Sequence, residues 1–554
     1  MTGPAAGTVL VVGAGPTGLT MAAQIHALGG DVRIVERRRD RELSRAFIVH
    51  PRTLEVLAPL GVVDALIARG DRSTVATLRA RGRSASVRLA GPGVTDTPYP
   101  FLLAIPQVAV EEILEDHLRR VGVPVARGVE FTGLTQYADR VVCRLRGPGG
   151  EREVAAGYVV GCDGGDSTVR RSVGIGFPGR AYRPTLLMAN LDADGPLAPS
   201  AVNGFVGADG LLFMFPSPDR APWRLLTVVS RQPVPRQPAT VSREPPPGRD
   251  PAAGPSLATL QAVADRFTGG QVRLCDLAWS TTIRLRRGQA DRYQHGRVLL
   301  AGDAAHQHSP AGAQGMNTGI QDACNLGWRL ALVARGLAGP ALLRSYQDER
   351  WPLARRIRHL TDLVFLAEAG GVPPLGLLRG YLAPLLLPLV DGRTVPAWAF
   401  RFLAGLTYGY RGRVMAEGRP LARRAVRPGD RLPDGWVVRD GRRVRLHEVL
   451  RTPGFHLLLC GPAGAFDQRV VADLVRDSGL PMGVHHLARV PGPGVLGDPA
   501  GDVLGRLGWT TAVYLIRPDG YVGFRSGGPQ LDDLARHLQV ALSIGAGGRW
   551  PVPG

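Results

Sequence analysis

The hydrophobic pattern near the start of the chain predicts a strand, a glycine turn, a helix and a second strand. Val9–Val12 form an unbroken apolar run, which is typical of a parallel strand buried on both faces. Residues 18–28 place apolar side chains at helical spacing, and residues 32–36 form a second strand. This order of elements predicts a βαβ unit in an α/β domain.

Later segments predict an antiparallel sheet and a return of the chain to the first domain. Residues 181–279 alternate as the strands of an antiparallel sheet do. The apolar run at 297–301 predicts a strand that rejoins the first sheet. Near the end, the strand-like segments Ala512–Arg517 and Tyr521–Phe524 flank the turn Pro518–Gly520, which predicts a β-hairpin.

Composition changes this picture little and argues against nucleic acid as a partner. The chain has 554 residues, of which 44% are hydrophobic and 21% charged, as in ordinary soluble globular proteins. Its net charge of +20 comes from 67 arginines without any lysine, and these are spread along the chain. Because nucleic-acid binders usually concentrate basic residues on one face or arm, we expect general surface charge and no nucleic-acid partner.

The cysteines and the apolar segments predict a cytoplasmic protein without a membrane segment. None of the five cysteines belongs to a CxxC pair, as expected of a reduced cytosolic protein. The most apolar later stretch, residues 381–390, contains two prolines and is too short to span a bilayer.

The first chemical motif is the turn that contains Gly13, Gly15 and Gly18. In such a turn, one glycine permits a tight bend, one lets the backbone approach a pyrophosphate, and one allows close strand–helix packing. The following helix offers free N–H groups and a positive dipole to the phosphates. Glu36, at the end of the second strand, can accept hydrogen bonds from a ribose diol. The motif predicts that a dinucleotide binds here.

A second motif, almost 290 residues later, favours FAD as the dinucleotide. A strand ends at Gly302–Asp303, where the carboxylate can bind a ribityl hydroxyl; an isolated Asp303 would more simply be a helix N-cap. The turn Pro310–Gly315, followed by Met316, Asn317 and a helix near 319–336, can present backbone N–H groups to the pyrimidine edge of a flavin. Together, the motifs predict FAD held at both ends by segments far apart in the chain.

With these motifs, the chain resembles the group A flavoprotein monooxygenases, the family of para-hydroxybenzoate and phenol hydroxylases. The resemblance covers roughly residues 8–390 and rests on Gly13–Gly18, Cys162–Gly164 and Gly302–Asn317. It implies that NAD(P)H reduces FAD, that oxygen adds to give a flavin C4a-hydroperoxide, and that the terminal oxygen attacks an electron-rich ring. The chain departs from many relatives at Asp166, where they have a basic or neutral residue.

The resemblance also implies further cofactor contacts. Asp163 is expected to serve both FAD and a transient nicotinamide co-substrate, NADPH or NADH, and Pro310 to lie near the reactive flavin edge. The predicted cofactor-binding residues are Gly13, Gly15, Pro16, Thr17, Gly18, Glu36, Arg37, Arg45, Gln107, Asp163, Asp303, Pro310, Gly315, Met316 and Asn317.

The sequence does not assign a catalytic base or the substrate pocket. Three side chains are candidates for deprotonating a substrate: His50, His308 and Tyr182. Three others are candidates for lining an aromatic pocket, and would serve equally as sheet core: Phe213, Phe215 and Trp223. His306 and His308 lack a matching cluster of Cys, His or acidic residues, so no metal site is expected.

The C-terminal part resembles the thioredoxin-like domain appended to larger members of the family. Because only Cys460 is present where a redox-active domain needs CxxC, a structural or dimer-supporting role is expected. The predicted fold is an α/β and α+β multidomain protein, monomeric or homodimeric. Its parts are a Rossmann-like FAD-binding domain (1–180 and 280–390), a mixed-sheet substrate domain (181–279), a helical connector (391–426) and a thioredoxin-like domain (427–554).

The predicted function is FAD-dependent hydroxylation of a phenolic, fused-ring aromatic substrate with NAD(P)H and O2. An aromatic polyketide of antibiotic biosynthesis is the preferred substrate class, because arginine-only coding suggests an actinomycete-like source and the resemblance includes polyketide tailoring enzymes. Two alternatives stay open. One is Baeyer–Villiger or ring-opening oxygenation of a polyketide, and the other is a flavin-binding accessory protein without turnover.

Overall fold

The structure is a computed structural model, and it describes most of the chain. The described residues are 7–41, 46–91, 93–208, 210–217, 221–229, 254–309, 311–368, 373–412, 425–462, 464–508 and 511–542.

The first part of the chain alternates helices with short strands. Its elements are β1 (Val9–Val12), α1 (Pro16–Ala27), β2 (Val32–Glu36), β3 (Ile48–Val49), α2 (Pro51–Leu57), α3 (Val63–Arg69), β4 (Asp71–Ser73), β5 (Val75–Ala80), β6 (Arg83–Arg88), β7 (Leu102–Ala104), α4 (Gln107–Arg120), β8 (Val125–Arg127), β9 (Glu130–Gln136), β10 (Val141–Gly147), β11 (Gly150–Ala156), β12 (Tyr158–Gly161) and α5 (Thr168–Ser172).

Long strands follow, and then long helices. These elements are β13 (Gly179–Asp194), β14 (Val202–Gly207), β15 (Gly210–Pro216), β16 (Trp223–Val229), α6 (Leu257–Thr268), β17 (Arg273–Gln289), β18 (Gln294–His295), β19 (Val298–Leu300), β20 (His306–Gln307), α7 (Gln314–Ala334), α8 (Arg344–Glu368), α9 (Pro373–Val390) and α10 (Ala397–Leu403). Among the described residues, no helix combines the length and the apolar character needed to cross a membrane.

The last part of the chain returns to short, alternating elements. They are β21 (Trp436–Arg439), β22 (Arg442–Arg445), α11 (Leu446–Val449), β23 (Phe455–Cys460), α12 (Gln468–Ser478), β24 (Met482–Ala488), β25 (Val495–Gly497), α13 (Asp502–Leu507), β26 (Ala512–Ile516), β27 (Val522–Gly527) and α14 (Asp532–Leu542).

The first sheet has six strands in the order β18-β19-β12-β1-β2-β8, with β1 near its centre. β1 pairs in parallel with β2 and β12, and β12 pairs in parallel with β19. The predicted return of residues 297–301 to this sheet is therefore confirmed. Because parallel strands end at one edge, the turns after β1, β12 and β19 meet there, and they carry Gly13, Asp163 and Gly302.

The second sheet has eight strands and extends beyond the predicted residues 181–279. Its order is β20-β17-β13-β16-β15-β14-β5-β6. β17 runs on to Gln289, and β5 and β6 join the sheet from residues 75–88, with β5 pairing in parallel to β14. Alternation within residues 181–279 could not reveal β5 and β6, because pairing joins strands that are distant along the chain.

The C-terminal domain is built on a seven-stranded sheet in the order β22-β21-β25-β24-β23-β26-β27. β26 and β27 pair antiparallel on either side of Pro518–Gly520, which confirms the predicted hairpin. Cys460 ends β23 and is buried as a free thiol.

The turn between β26 and β27 joins the C-terminal domain to α7 and α8 through buried ion pairs. The Arg517 guanidinium pairs with the Glu349 carboxylate of α8 and with Asp519, each at 2.5 Å. Arg329 of α7 pairs with Glu349 at 2.9 Å, and Arg52 of α2 donates to the Asp519 carbonyl at 2.6 Å. Each of these residues is at most 2% exposed. The C-terminal domain therefore supplies partners for buried charged side chains on α2 and α8.

Replacing Glu349 tests this dependence. In Glu349→Gln, two buried guanidinium groups lose their shared carboxylate, and we expect the free energy of unfolding to fall by about 3–5 kcal/mol. Thermal unfolding followed by circular dichroism measures the loss. The matched control is Arg536→Ala, which removes an ion pair whose side chains are 71% and 63% exposed. An unchanged unfolding temperature in Glu349→Gln would contradict the inference.

Two buried carboxylates, Glu349 of α8 and Glu55 of α2, predict acid lability. Arg431 and other cations hold the pKa of the buried Glu55 at about 2, against the effect of burial, and Arg329 and Arg517 lower the pKa of Glu349. Since both values lie below the usual 4.5, this stabilisation is complete above pH 4.5 and is lost as the pH falls towards 2. Urea midpoints should therefore fall between pH 5 and pH 3, and less steeply in Glu349→Gln than in the wild type.

Candidate functional site

The three glycines of the first motif have three different surroundings. A Cβ at Gly13, where φ is +102°, would clash with the Cys162 carbonyl, and one at Gly18 would clash with the Gly13 carbonyl. At Gly15, in contrast, a Cβ would meet no atom within 4 Å. No side chain caps α1, so its first N–H groups stay available. The open space at Gly15 beside these donors fits a pyrophosphate.

The two glycine motifs contact each other directly. The Thr17 hydroxyl of α1 lies 2.6 Å from the Cβ position of Gly302, and it also blocks the Cβ position of Gly319 on α7. Gly302 itself has φ +62°, a conformation that glycine adopts without strain. The turn after β19 therefore rests on the start of α1, and both ends of one dinucleotide can be held at the same sheet edge.

A buried carboxylate holds the second motif in place. Asp322 of α7 accepts a hydrogen bond from the Gly302 N–H at 3.0 Å and pairs with the Arg350 guanidinium at 2.6 Å. Arg350 also donates to the Thr318 carbonyl at 3.0 Å. Burial raises the pKa of Asp322, but Arg350 and His306 outweigh that effect and hold it well below its usual value. The carboxylate is therefore ionised and fixes the Gly302–Asp303 turn.

The N-terminus of α7 is shaped for close approach by a ligand. Ala313 precedes it with φ +53°, and no side chain caps the helix. A Cβ at Gly315 would meet no atom within 4 Å. The Asn317 amide accepts from the His50 N–H and donates to the Ala313 carbonyl, each at 2.8 Å. The Asn317 side chain is thus occupied within the protein, and a contact to flavin is left to its backbone.

The acidic residues at the sheet edge retain capacity for a ligand. Glu36 accepts from the Ala14 N–H at 2.8 Å, which places its carboxylate against the glycine turn. One oxygen of Asp163 accepts from the Thr168 N–H at 2.7 Å and from the Val169 N–H at 3.0 Å. The other oxygen, Oδ1, is buried without a protein hydrogen-bond partner. A buried acceptor of this kind is expected to meet a donor, and a cofactor hydroxyl or amide can supply it.

The other predicted cofactor residues fall into three groups. Pro16 opens α1, and Met316 is buried within α7. The Gln107 amide donates to Glu111 at 2.8 Å, while Arg37 and Asp303 are exposed. Two predictions, Arg45 and Pro310, lie outside the described residues.

The structure separates the three candidate bases. The Tyr182 hydroxyl donates to Asp362, and burial together with this bond raises its pKa, so Tyr182 is unsuited to accept a proton. Burial lowers the pKa of His50 to about 4, opposed by a hydrogen bond with the Gly312 backbone. Burial and His306 lower the pKa of His308. Both histidines are therefore neutral near pH 7, and each has a buried Nδ1 without a protein partner.

The three aromatic candidates lie on two faces of the second sheet. Phe213 and Phe215 belong to an apolar cluster that also contains Ile48, Ala313 and Phe365, which we call the inner cluster. Trp223 belongs to another cluster, which packs α6 on the sheet. Strand register explains the difference. Trp223 pairs with Pro216, and Leu225 pairs with Met214. Because side chains alternate along a strand, these residues share one face of the sheet, and Phe213 and Phe215 lie on the other. The predicted pocket therefore keeps only Phe213 and Phe215.

Sequence reasoning missed Asp322 and Arg350. An acidic residue within the helix that follows Asn317 was a usable signal for Asp322, since buried charges are normally paired. Nothing in the sequence pointed to Arg350, whose pairing depends on how α7 and α8 pack.

One group of side chains has the spacing of metal ligands. Asp192, Cys275 and Asp276, on β13 and β17, place ligand atoms within 4.8 Å of one another. Asp276 is exposed, and exposed acidic groups commonly approach one another without an ion.

Comparison with known proteins gives a consistent result along the chain. A family model described as an FAD binding domain matches residues 7–361, and one described as aromatic-ring hydroxylase, C-terminal, matches residues 425–543. The chain is 34% identical to 6-methylpretetramide 4-monooxygenase of Streptomyces rimosus, over 94% of this chain and 91% of that protein.

Two solved structures extend the likeness to the whole fold. Anhydrotetracycline hydroxylase from Streptomyces rimosus superimposes with a TM-score of 0.73 at 28% identity. Aklavinone-11 hydroxylase, solved with FAD and aklavinone, superimposes with a TM-score of 0.74 at 26% identity. Each likeness covers 97% of this chain and 99% of the other.

The glycine geometry predicts a separation of binding from folding. In Gly15→Ala the new methyl group enters open space, so we expect an unchanged unfolding temperature for the apoprotein and a loss of FAD affinity of at least about tenfold. In Gly13→Ala the methyl group meets backbone, so the unfolding temperature itself should fall. Flavin absorbance per protein after FAD titration, and apoprotein melting, measure the two effects. Normal FAD retention in Gly15→Ala would refute this site for the pyrophosphate.

Proposed function

The chain belongs to the family of FAD-dependent aromatic-ring hydroxylases, and from that premise we propose that it hydroxylates a phenolic, polycyclic substrate of the aromatic polyketide type in antibiotic biosynthesis, with NAD(P)H and O2 as co-substrates. The observation that carries the proposal is the contact of Thr17 with Gly302 and Gly319. It joins the two halves of a single FAD site. The substrates in the names of the relatives, a pretetramide, an anhydrotetracycline and aklavinone, support the substrate class.

Each segment at the sheet edge would bind a different part of FAD. The α1 N-terminus and Gly15 would hold the pyrophosphate, and Glu36 the adenosine ribose. The turn after Gly302 would hold the ribityl chain, and the α7 N-terminus the flavin. Bound FAD supplies a centre that takes a hydride from NAD(P)H and passes one oxygen atom of O2 to the substrate ring, with the other leaving as water.

The inner cluster would bind the aromatic substrate. Phe47 meets Phe215 edge-on at 4.4 Å between ring centroids, and Phe213 lies 5.9 Å from Phe215. Ile48 and Ala313 connect this aromatic wall to the segments proposed to hold the flavin. Aromatic walls suit a planar polycyclic ligand, and an apolar pocket excludes the water that would divert the reaction.

The C-terminal domain would have a structural role. Burial raises the pKa of the Cys460 thiol, which keeps it protonated and unreactive. Among the contacts that the domain makes is the ion pair of Arg517 with Glu349 of α8, which also pairs with Arg329 of α7. These two helices also carry Asp322 and Arg350. We expect no thiol–disulfide exchange from it, and activity of the hydroxylase to depend on its docking.

The proposed reaction has a direct test. The purified protein should be yellow, and polycyclic phenols such as alizarin should stimulate its NAD(P)H oxidation, with a product 16 mass units heavier. Under ¹⁸O₂ the product should gain one ¹⁸O. Label arriving from water would contradict hydroxylation by O2, and a change in ring count would identify ring-opening instead. Failure of NAD(P)H to reduce the bound FAD with any phenol would favour an accessory role.

A further inference from the structure

Three side chains form a continuous hydrogen-bonded chain beside the flavin-binding turn. Asp322 Oδ2 lies 2.6 Å from His306 Nε2, and His306 Nδ1 lies 2.9 Å from His308 Nε2. The centroids of the two imidazole rings lie 4.8 Å apart, and the ring planes are tilted by 34°. Asp322 and His306 are at most 1% exposed. We call Asp322, His306 and His308 the imidazole relay.

The chemistry of the atoms sets the direction of these hydrogen bonds. The ionised Asp322 carboxylate can only accept, so the proton between it and His306 resides on His306 Nε2. In the tautomer of His306 that carries its proton on Nε2, Nδ1 is an acceptor, and it receives its hydrogen bond from the Nε2–H of His308. The remaining nitrogen, His308 Nδ1, is left with a free lone pair. It is buried without a protein hydrogen-bond partner.

The relay ends next to the inner cluster. Ser309, which follows His308, donates to the Thr361 carbonyl at 2.9 Å and contacts the Tyr182 hydroxyl. Tyr182 packs edge-on against Phe365 of the inner cluster at 4.8 Å. His308 is thus adjacent in sequence to Ser309, which contacts the inner cluster proposed to bind the aromatic substrate.

We propose that His308 Nδ1 is the base that accepts the proton of a substrate phenol, an inference that rests on the proposed function. As the phenol O–H bond breaks, the proton joins His308 Nδ1, and the proton of His308 Nε2 passes to His306 Nδ1. The products are a phenolate and an imidazolium at His306, paired with Asp322. His308 is neutral before and after the transfer. The phenolate ring is more electron-rich than the phenol, so it would react more readily as the nucleophile towards the electrophilic oxygen that bound FAD supplies.

The surrounding charges support a neutral resting His308. The groups that act on it are His306 on β20, Asp322 on α7, and Arg350 and Arg358 on α8. Burial and the two arginines lower the pKa of His308, and Asp322 raises it. The free imidazole is therefore available over the whole neutral range. The positive charge is delivered to His306, the ring that contacts the carboxylate.

His50 lacks such a path for the proton. Its Nδ1 is also buried without a protein partner, but the other hydrogen bond of its ring is to the Gly312 backbone. A carbonyl cannot take up a proton at neutral pH, so a proton accepted by His50 would remain there as a buried charge. The Nδ1 atoms of both histidines lack a protein hydrogen-bond partner, but only His308 is linked through its other nitrogen to a group that can take up a proton.

Two substitutions at His308 separate the base from the packing. The amide nitrogen of Gln lies near the position of imidazole Nε2, so His308→Gln can still donate to His306 but has no base at the Nδ1 position. The amide of Asn lies near Nδ1, so His308→Asn keeps a polar group there but loses the link to His306. Both variants should retain FAD, and His308→Gln, which keeps the link to His306, should also keep the wild-type unfolding temperature. His50→Gln serves as the matched comparison.

The measurement is the ionisation of alizarin bound to the FAD-loaded protein, followed by its visible absorbance from pH 5 to pH 10. In the wild type we expect bound alizarin to ionise at least about one pH unit lower than in water, a tenfold change in the ionisation constant. His308→Gln and His308→Asn should abolish this shift, and His50→Gln should retain it. Alizarin-stimulated NAD(P)H oxidation by His308→Gln should recover at high pH, where the phenol ionises in solution.

The outcomes that overturn the relay differ from those that overturn the proposed function. An ionisation shift that survives in His308→Gln, or that is lost only in His50→Gln, refutes His308 as the base while hydroxylation by the wild type stands. Absence of ¹⁸O transfer from O2 in the wild type refutes the proposed function itself.

Discussion

The ion pair between Asp322 and Arg350, 2.6 Å long and almost fully buried, is the constraint on which the site depends. Oxygen Oδ2 of Asp322 accepts from the Gly302 N–H and bonds to His306, and oxygen Oδ1 pairs with Arg350. Arg350 reaches the Thr318 carbonyl near the start of α7. One carboxylate therefore sets the position of the turn after β19, the α7 N-terminus and the imidazole relay. An unpaired charge at this depth would cost several kcal/mol, so the arrangement is strongly specified.

The residue next to Arg350 extends the same constraint to the C-terminal domain. Glu349 turns away from the flavin side and meets Arg329 and Arg517. Adjacent positions on α8 thus serve two interfaces: Arg350 fixes the carboxylate that holds the turn after β19, and Glu349 receives the hairpin turn of the C-terminal domain. A domain without a redox disulfide can in this way still affect the reaction centre, through the position of α8.

The sequence revealed local features well and long-range ones poorly. The glycine turns, the return of β19 and the β26–β27 hairpin each follow from short runs of residues, and the structure confirms these elements. The face on which Trp223 lies depends on its register with β15, and the membership of β5 in the second sheet depends on pairing with β14. The start of α7 at Gln314, ahead of residue 319, reflects left-handed backbone at Gly312 and Ala313 that spacing does not encode. Asp322 and Arg350 find each other only after two helices have packed.

The ion pairs of Glu349 also impose an order on synthesis. Arg517 lies 168 residues after Glu349, and it completes the pairing of a carboxylate and an arginine that the ribosome has already released. At a synthesis rate of about 5–20 residues per second, Arg517 is added roughly 10–30 s after Glu349. During that interval Glu349 can pair with Arg329, and its second arginine partner, Arg517, arrives with the β26–β27 hairpin. The surface around Glu349 therefore closes only after the β26–β27 hairpin has been synthesised, and a chain that stops before Arg517 leaves this carboxylate with Arg329 as its arginine partner.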